Sequence, residues 1–166
     1  MQKLGYYKHE KKKKDVYVPK KYEQMQYPGQ RIQVDCKYVP LECTKAIGEG
    51  VRLFQFTAID EYSRQRYLEA FEDNNSYSAA IFIEHAIAFF KYPIECVQTD
   101  NGQEFTKYFG HDKRRELSPT MFQFYSLDDL QRQLKRYMRE YNNTPMRPLG
   151  WKSPNEYLAN FFNDNV

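Results

Sequence analysis

Asp35 and Asp100 are the residues whose placement invites chemistry. Asp35 falls inside the alternating segment Arg31-Ile32-Gln33-Val34-Asp35-Cys36-Lys37-Tyr38-Val39, and Asp100 closes the short run Ile94-Glu95-Cys96-Val97-Gln98-Thr99. A carboxylate within a buried sheet, or at its rim, is costly unless something compensates the charge. A divalent cation is one such partner. An arginine or several backbone N–H groups are the structural alternative, and strand-end aspartates are common as turn caps. Carboxylate oxygens suit magnesium, which keeps several waters and takes one or two protein carboxylates. Two such ions side by side can activate an attacking oxygen on phosphorus and stabilise the leaving one. Spacing alone leaves the metal and structural readings both open.

The elements that must hold these carboxylates follow from periodicity. Residues 31–39 alternate as a strand, 40–50 read as a turn with Gly48 and Gly50, 52–60 form a second strand and 67–71 a third. Short turns make this an antiparallel meander. Ser76 is placed to cap a helix running to about Phe90, with Ala80, Ile83, Ile87 and Phe90 on one face. Pro93 stops it, and 94–99 read as a short buried strand. After a polar, basic stretch with Gly110 and Pro119, a helix starts at Ser126, which pairs with Asp129 in a capping-box-like arrangement. Leu127, Leu130, Leu134, Tyr137 and Tyr141 share one of its faces. Ser153-Pro154-Asn155-Glu156 opens a last helix with proline at its first position, and Trp151 is placed to cover its start. The aromatic stretch from Phe82 to Tyr92 reads as core packing. The sum is an α/β chain, a mixed sheet with helices packed against it.

Composition bounds the rest. The 166 residues suffice for one domain with a real core, and 41% hydrophobic with 17% aromatic residues exclude a disordered chain. A mean hydropathy of −0.87, with no long apolar run and no signal-peptide core, predicts a protein without a membrane partner, located in the cytoplasm. Three cysteines (Cys36, Cys43, Cys96) and three scattered histidines lack zinc-site spacing, and reduced thiols are the expectation. The net charge of +3 is unevenly spread. Lys11, Lys12, Lys13, Lys14, Lys20 and Lys21 crowd the first residues with tyrosines between them. Residues 1–29 therefore read as a basic extended arm, either a solubilising tail or a contact to nucleic-acid phosphates.

The words around the two aspartates resemble the catalytic core of retroviral-type integrases and insertion-sequence transposases. Gly29-Gln30-Arg31-Ile32-Gln33-Val34-Asp35 is similar to that family's first strand and first catalytic aspartate. Asp60-Glu61-Tyr62-Ser63-Arg64 resembles its turn after the second strand. Thr99-Asp100-Asn101-Gly102-Gln103-Glu104-Phe105 resembles the segment with the second aspartate, and Arg147-Pro148-Leu149-Gly150-Trp151-Lys152-Ser153-Pro154 the signature after the core. The resemblance implies an RNase H-like fold over 30–125 followed by C-terminal helices over 126–166. It also implies Asp35 and Asp100 as ligands of Mg2+ or Mn2+, and DNA integration by strand transfer.

The chain departs from the pattern in one respect that bears on activity. The family's third carboxylate, a glutamate on a helix after the second aspartate, has no counterpart in its usual surroundings, so the last strand and the catalytic helix are expected to be missing. Glu104, Glu116 and Glu140 are substitutes by position only; Glu140 lies in surroundings that resemble the family's downstream helix. No helix-turn-helix precedes the core in this sequence, so sequence-specific end recognition is not expected of it. The resulting expectation is a catalytically defective remnant of a transposase. The alternative is a non-catalytic module that binds nucleic acid, an intact transposase or a second copy of itself.

Overall fold

The computed structural model describes residues 23–100 and 123–164. Strands β1 (Ile32–Tyr38), β2 (Phe54–Asp60) and β3 (Arg66–Phe71) form the expected antiparallel meander, and β4 (Val97–Thr99) joins β1 in parallel, giving the order β3-β2-β1-β4. The helices are α1 (Leu41–Thr44), α2 (Ser76–Phe90), α3 (Leu127–Asn142) and α4 (Pro154–Asp164). Residues 40–50, read as a turn, contain the single turn of α1.

Period-two alternation makes the sheet two-sided. Ile32 and Val34 of β1 join Phe54, Phe56 and Ala58 of β2 and pack on Ala79, Phe82, Ala86 and Phe90 of α2. Phe56 and Phe82 are fully buried with ring centroids 5.3 Å apart. Burial of a side chain of that size contributes roughly 1.5–3 kcal/mol. On the other side Leu68 and Ala70 of β3 meet Leu130 and Leu134 of α3, together with Val39, Cys43 and Leu53. The sheet is thus a central layer between helices.

Three expectations shift. The cap of α2 is Asn75, whose side chain accepts from the Ser78 N–H at 2.9 Å, not Ser76. The buried face of α2 runs through Ala79, Phe82, Ala86 and Phe90, whereas Ile87 is exposed. The difference arises because the large rings, not the aliphatic residues, fill the space over β2. Strand β4 spans three residues and is exposed rather than buried, since among the described residues it pairs on one side only. The caps of the later helices hold as read. Ser126 accepts from the Asp129 N–H at 3.0 Å, and Ser153 and Glu156 exchange bonds of 3.3 and 2.8 Å. The Ser153 N–H bond holds the Glu156 carboxyl below the usual glutamate range.

Among the described residues β3 is an edge strand, and α3 side chains cover its outward backbone groups at Arg66 and the Ala70 N–H. Gln131 Oε1 accepts from the Ala70 N–H at 2.8 Å. Asn142 accepts from the Arg66 N–H and donates to the Arg66 carbonyl, both at 2.8 Å. The buried Asn142 therefore stands where the next strand's peptide would be, and closes an edge open to pairing with other chains.

Candidate metal and nucleic-acid site

The path to the site starts at Gly29. Its φ of +80° is open to glycine, and a Cβ there would stand 2.0 Å from the Pro93 carbonyl oxygen. That close approach lets the Gly29 carbonyl accept from the Glu95 N–H at 2.9 Å, two residues before β4. The Ile32 N–H then donates to the Cys96 carbonyl at 2.8 Å. From there Ile32 pairs with Val97, Gln33 with Gln98 and Val34 with Thr99. The next step of the same register brings Asp35 and Asp100 to neighbouring positions on parallel strands.

Asp35 sits mid-strand on the face of β1 that carries Gln33 and Lys37, away from α2. Its side chain is 45% exposed, and its Oδ2 lies 3.5 Å from Lys37 Nζ. Asp100 is exposed directly after β4. The register brings these two predicted site residues to adjoining positions. Lys11, Lys12, Lys13, Lys14, Lys20 and Lys21 lie outside the described residues, as do Glu104 and Glu116. Glu140 is on α3, which packs on β3, and is held at 2.9 Å by Arg136 on the helix surface. Among the described residues no group of three or more His, Cys, Asp or Glu side chains could hold a metal ion.

Below the two aspartates the sheet rests on a buried acidic turn. Asp60 is fully buried and accepts from the Gly29 N–H at 3.0 Å, the Ser63 N–H at 2.9 Å and the Ser63 hydroxyl at 2.6 Å. Burial and the nearby Asp60 push the Tyr92 phenol above its usual range, keeping it a neutral donor. Glu61, its side chain inaccessible, takes both bonds of the Arg31 fork at 2.6 Å and a third from Gln33 Nε2 at 2.7 Å. Sequence reasoning placed Asp60 and Glu61 in a motif but missed this clamp on the strand that carries Asp35. The alternation of Arg31, Gln33 and Asp35 on one strand face was the available signal. It missed Lys37 for the same reason.

These carboxylates behave as two classes. Asp60 and Glu61 are consumed by backbone donors and an arginine, the structural alternative of the sequence reading. Asp35 is half-open, and the solvent-exposed Lys37 ammonium lies 3.5 Å from it. Two solvent-accessible oxygen-donor side chains at adjoining sheet positions fit a hydrated divalent cation, which needs few protein ligands. A cleft of about 500 Å3 between the ends of α2, α3 and α4 includes neither aspartate in its lining.

No helix among the described residues is long and apolar enough to cross a membrane. No curated protein matches the chain. Three solved structures are similar in part. One is a simian T-cell lymphotropic virus intasome in complex with PP2A regulatory subunit B56 gamma, at 20% identity and TM-score 0.41 over 49% of this chain and 29% of that one. The others are the HTLV-2 integrase catalytic core domain in complex with magnesium. The dimeric form gives 18% identity and TM-score 0.40 over 48% of this chain and 50% of that one. The trimeric form gives 13% and 0.48 over 79% and 97%. The chain thus spans less than a third of the first neighbour and half of the second. A model of the integrase core domain matches residues 26–142, from the approach to β1 to the last residue of α3. The chain belongs to the integrase core domain family.

Proposed function

We propose that this chain is an integrase-type DNA strand-transfer core that keeps a two-aspartate site for Mg2+ or Mn2+ and has lost the third carboxylate, a catalytically defective remnant. The observation that carries the reading is the parallel register in which Val34 pairs with Thr99, so that Asp35 and Asp100 follow as neighbours. A bound divalent ion would supply charge neutralisation and polarisation at phosphorus. The chain's own part is to hold the two carboxylates on adjacent strands, with Glu61 and Arg31 fixing the start of β1. Without a third carboxylate to complete the site, positioning of the ion and of the DNA phosphate is incomplete, and turnover is expected to be lost before binding. DNA is the proposed partner. Intact transposase or a second copy is the proposed protein partner.

Isothermal titration of Mn2+ into folded protein tests this, beside an Asp35→Asn, Asp100→Asn double variant of matched circular dichroism. Saturable binding that the variant loses is expected, with strand-transfer and nuclease activity at the variant's level. Absence of saturable binding in the wild type would overturn the metal site. Activity above the variant's level would overturn the loss of catalysis.

A further inference from the structure

Trp151 does not cover the start of α4, as its position in the sequence suggests. It is 71% exposed and has φ of +63°, directly after Gly150 at +64°. Two consecutive left-handed residues turn the chain back on itself. The turn is fixed from both sides. The Trp151 N–H donates to the Met146 carbonyl at 3.0 Å, the Met146 N–H to the Lys152 carbonyl at 3.0 Å, and the Gly150 N–H to the Arg147 carbonyl at 3.1 Å. Leu149, 6% exposed, anchors it inward. A tryptophan in a left-handed conformation, held rigid and aimed at solvent, runs against both backbone preference and the hydrophobic effect. A rigid indole loses little freedom when a flat partner stacks on it.

The charge around the turn identifies that partner. From 132 to 152 the chain carries Arg132, Lys135, Arg136, Arg139, Arg147 and Lys152 against the single acid Glu140. Glu140 is occupied by Arg136 and Asp129 by Arg132. Lys135, Arg139, Arg147 and Lys152 are exposed and make no ion pair within 4 Å among the described residues. Beyond that distance, Lys152 helps to hold the Glu156 carboxyl low. An exposed aromatic ring flanked by exposed cations is suited to a base face between backbone phosphates. It is poorly suited to an apolar protein surface, which would leave the flanking charges desolvated.

We infer that the turn 146–152 is a single-stranded DNA contact, with Trp151 stacking on an unpaired base and Arg147 and Lys152 on the adjoining phosphates. This deepens the strand-transfer reading by naming where unpaired DNA is held, and it does not need the two aspartates. Trp151 is the single tryptophan of the chain, so intrinsic fluorescence reports on it alone. The test titrates a dye-labelled single-stranded oligonucleotide and a blunt duplex into the full chain, following dye anisotropy and, with unlabelled DNA, indole emission. Expected are quenched emission with the single strand, little quenching with the duplex, and binding weakened by salt. Trp151→Ala should bind roughly 5- to 100-fold more weakly, and Trp151→Phe should stay near wild type. Indole quenching is read without divalent metal, and Mn2+ titration is read without DNA, so failure here leaves the metal site standing. Three results would overturn the inference: binding with unaltered emission and a wild-type Trp151→Ala, no single-strand binding, or a protein-concentration-dependent blue shift without DNA, which would assign the turn to self-association.

Discussion

At the scale of single residues, the site is decided by which carboxylates are already satisfied. Asp60 and Glu61 each accept three bonds from the protein and have no lone pairs aimed at solvent. Asp60→Asn keeps the shape but turns an amide N–H2 toward a donor, leaving buried groups unpaired. We expect a loss of about 2–3 kcal/mol in urea unfolding with the fold retained. Asp35 is the opposite case, held by Lys37 across 3.5 Å with both side chains about half exposed or more. A pair so exposed is worth at most about 1 kcal/mol, yet its ammonium stands where a cation would approach the carboxylate. Lys37→Ala should therefore tighten Mn2+ binding several-fold in the titration described above, with stability almost unchanged. Equal affinity in both proteins would show that Lys37 swings clear of the ion without cost.

At the scale of elements, β4 lies beside β1 because Gly29 lets two backbones touch, and the β3 edge is blocked at Arg66 and Ala70 by Asn142 and Gln131. Gly29→Ala must move a Cβ away from an oxygen 2.0 Å off, at a φ that disfavours alanine. It should cost more than Asp60→Asn and weaken metal binding as well, since the register that adjoins Asp35 to Asp100 is lost with it. Asn142→Ala strips partners from the Arg66 N–H and carbonyl, for about 1–3 kcal/mol, and should raise edge-to-edge association measured by light scattering. These contrasts mark what the sequence makes legible. Alternation fixes β1 to β3 because each strand face repeats every second residue. The motif words put Asp35 within β1 and Asp100 directly after β4, where short local patterns are legible. The bonds of Gly29, Asn142 and Glu61 join residues some 30 to 76 positions apart, and no local period encodes them. The buried face of α2 is not legible from apolar periodicity because alanine and phenylalanine count alike as apolar, although ring volume decides which side fills the core.

At the scale of the whole molecule, the question is where the folding unit ends. The words of the sequence suggest a core over 30–125 and separate helices after it, but the second hydrophobic cluster is shared between them: Leu68 and Ala70 of β3 face Leu130 and Leu134 of α3. Helix α4 contributes differently. Tyr157 and Phe161 pack on Tyr62 at 5.2 and 5.3 Å, at the rim of the sheet, and Leu158 reaches the first cluster as a partly buried neighbour. Burial pushes the Tyr62 phenol up to about 12, so whatever stability this contact contributes is present below the ordinary tyrosine value near 10 and is lost as pH rises toward 12. A chain ending at residue 125 exposes one face of the sheet and the Arg66–Ala70 edge together, and should aggregate or bind a hydrophobic dye on expression. A chain ending at 144 keeps α3 and both covering amides. It should remain folded and monodisperse by size exclusion, with a lower midpoint in urea and a smaller loss of stability between pH 10 and 12 than the full chain, since other buried phenols such as Tyr92 stay raised. If the shorter chain folded as well as the longer one, α3 would be an appendage and Asn142 a surface residue; if the longer one also failed, the aromatic contact with α4 would have to be part of the core itself.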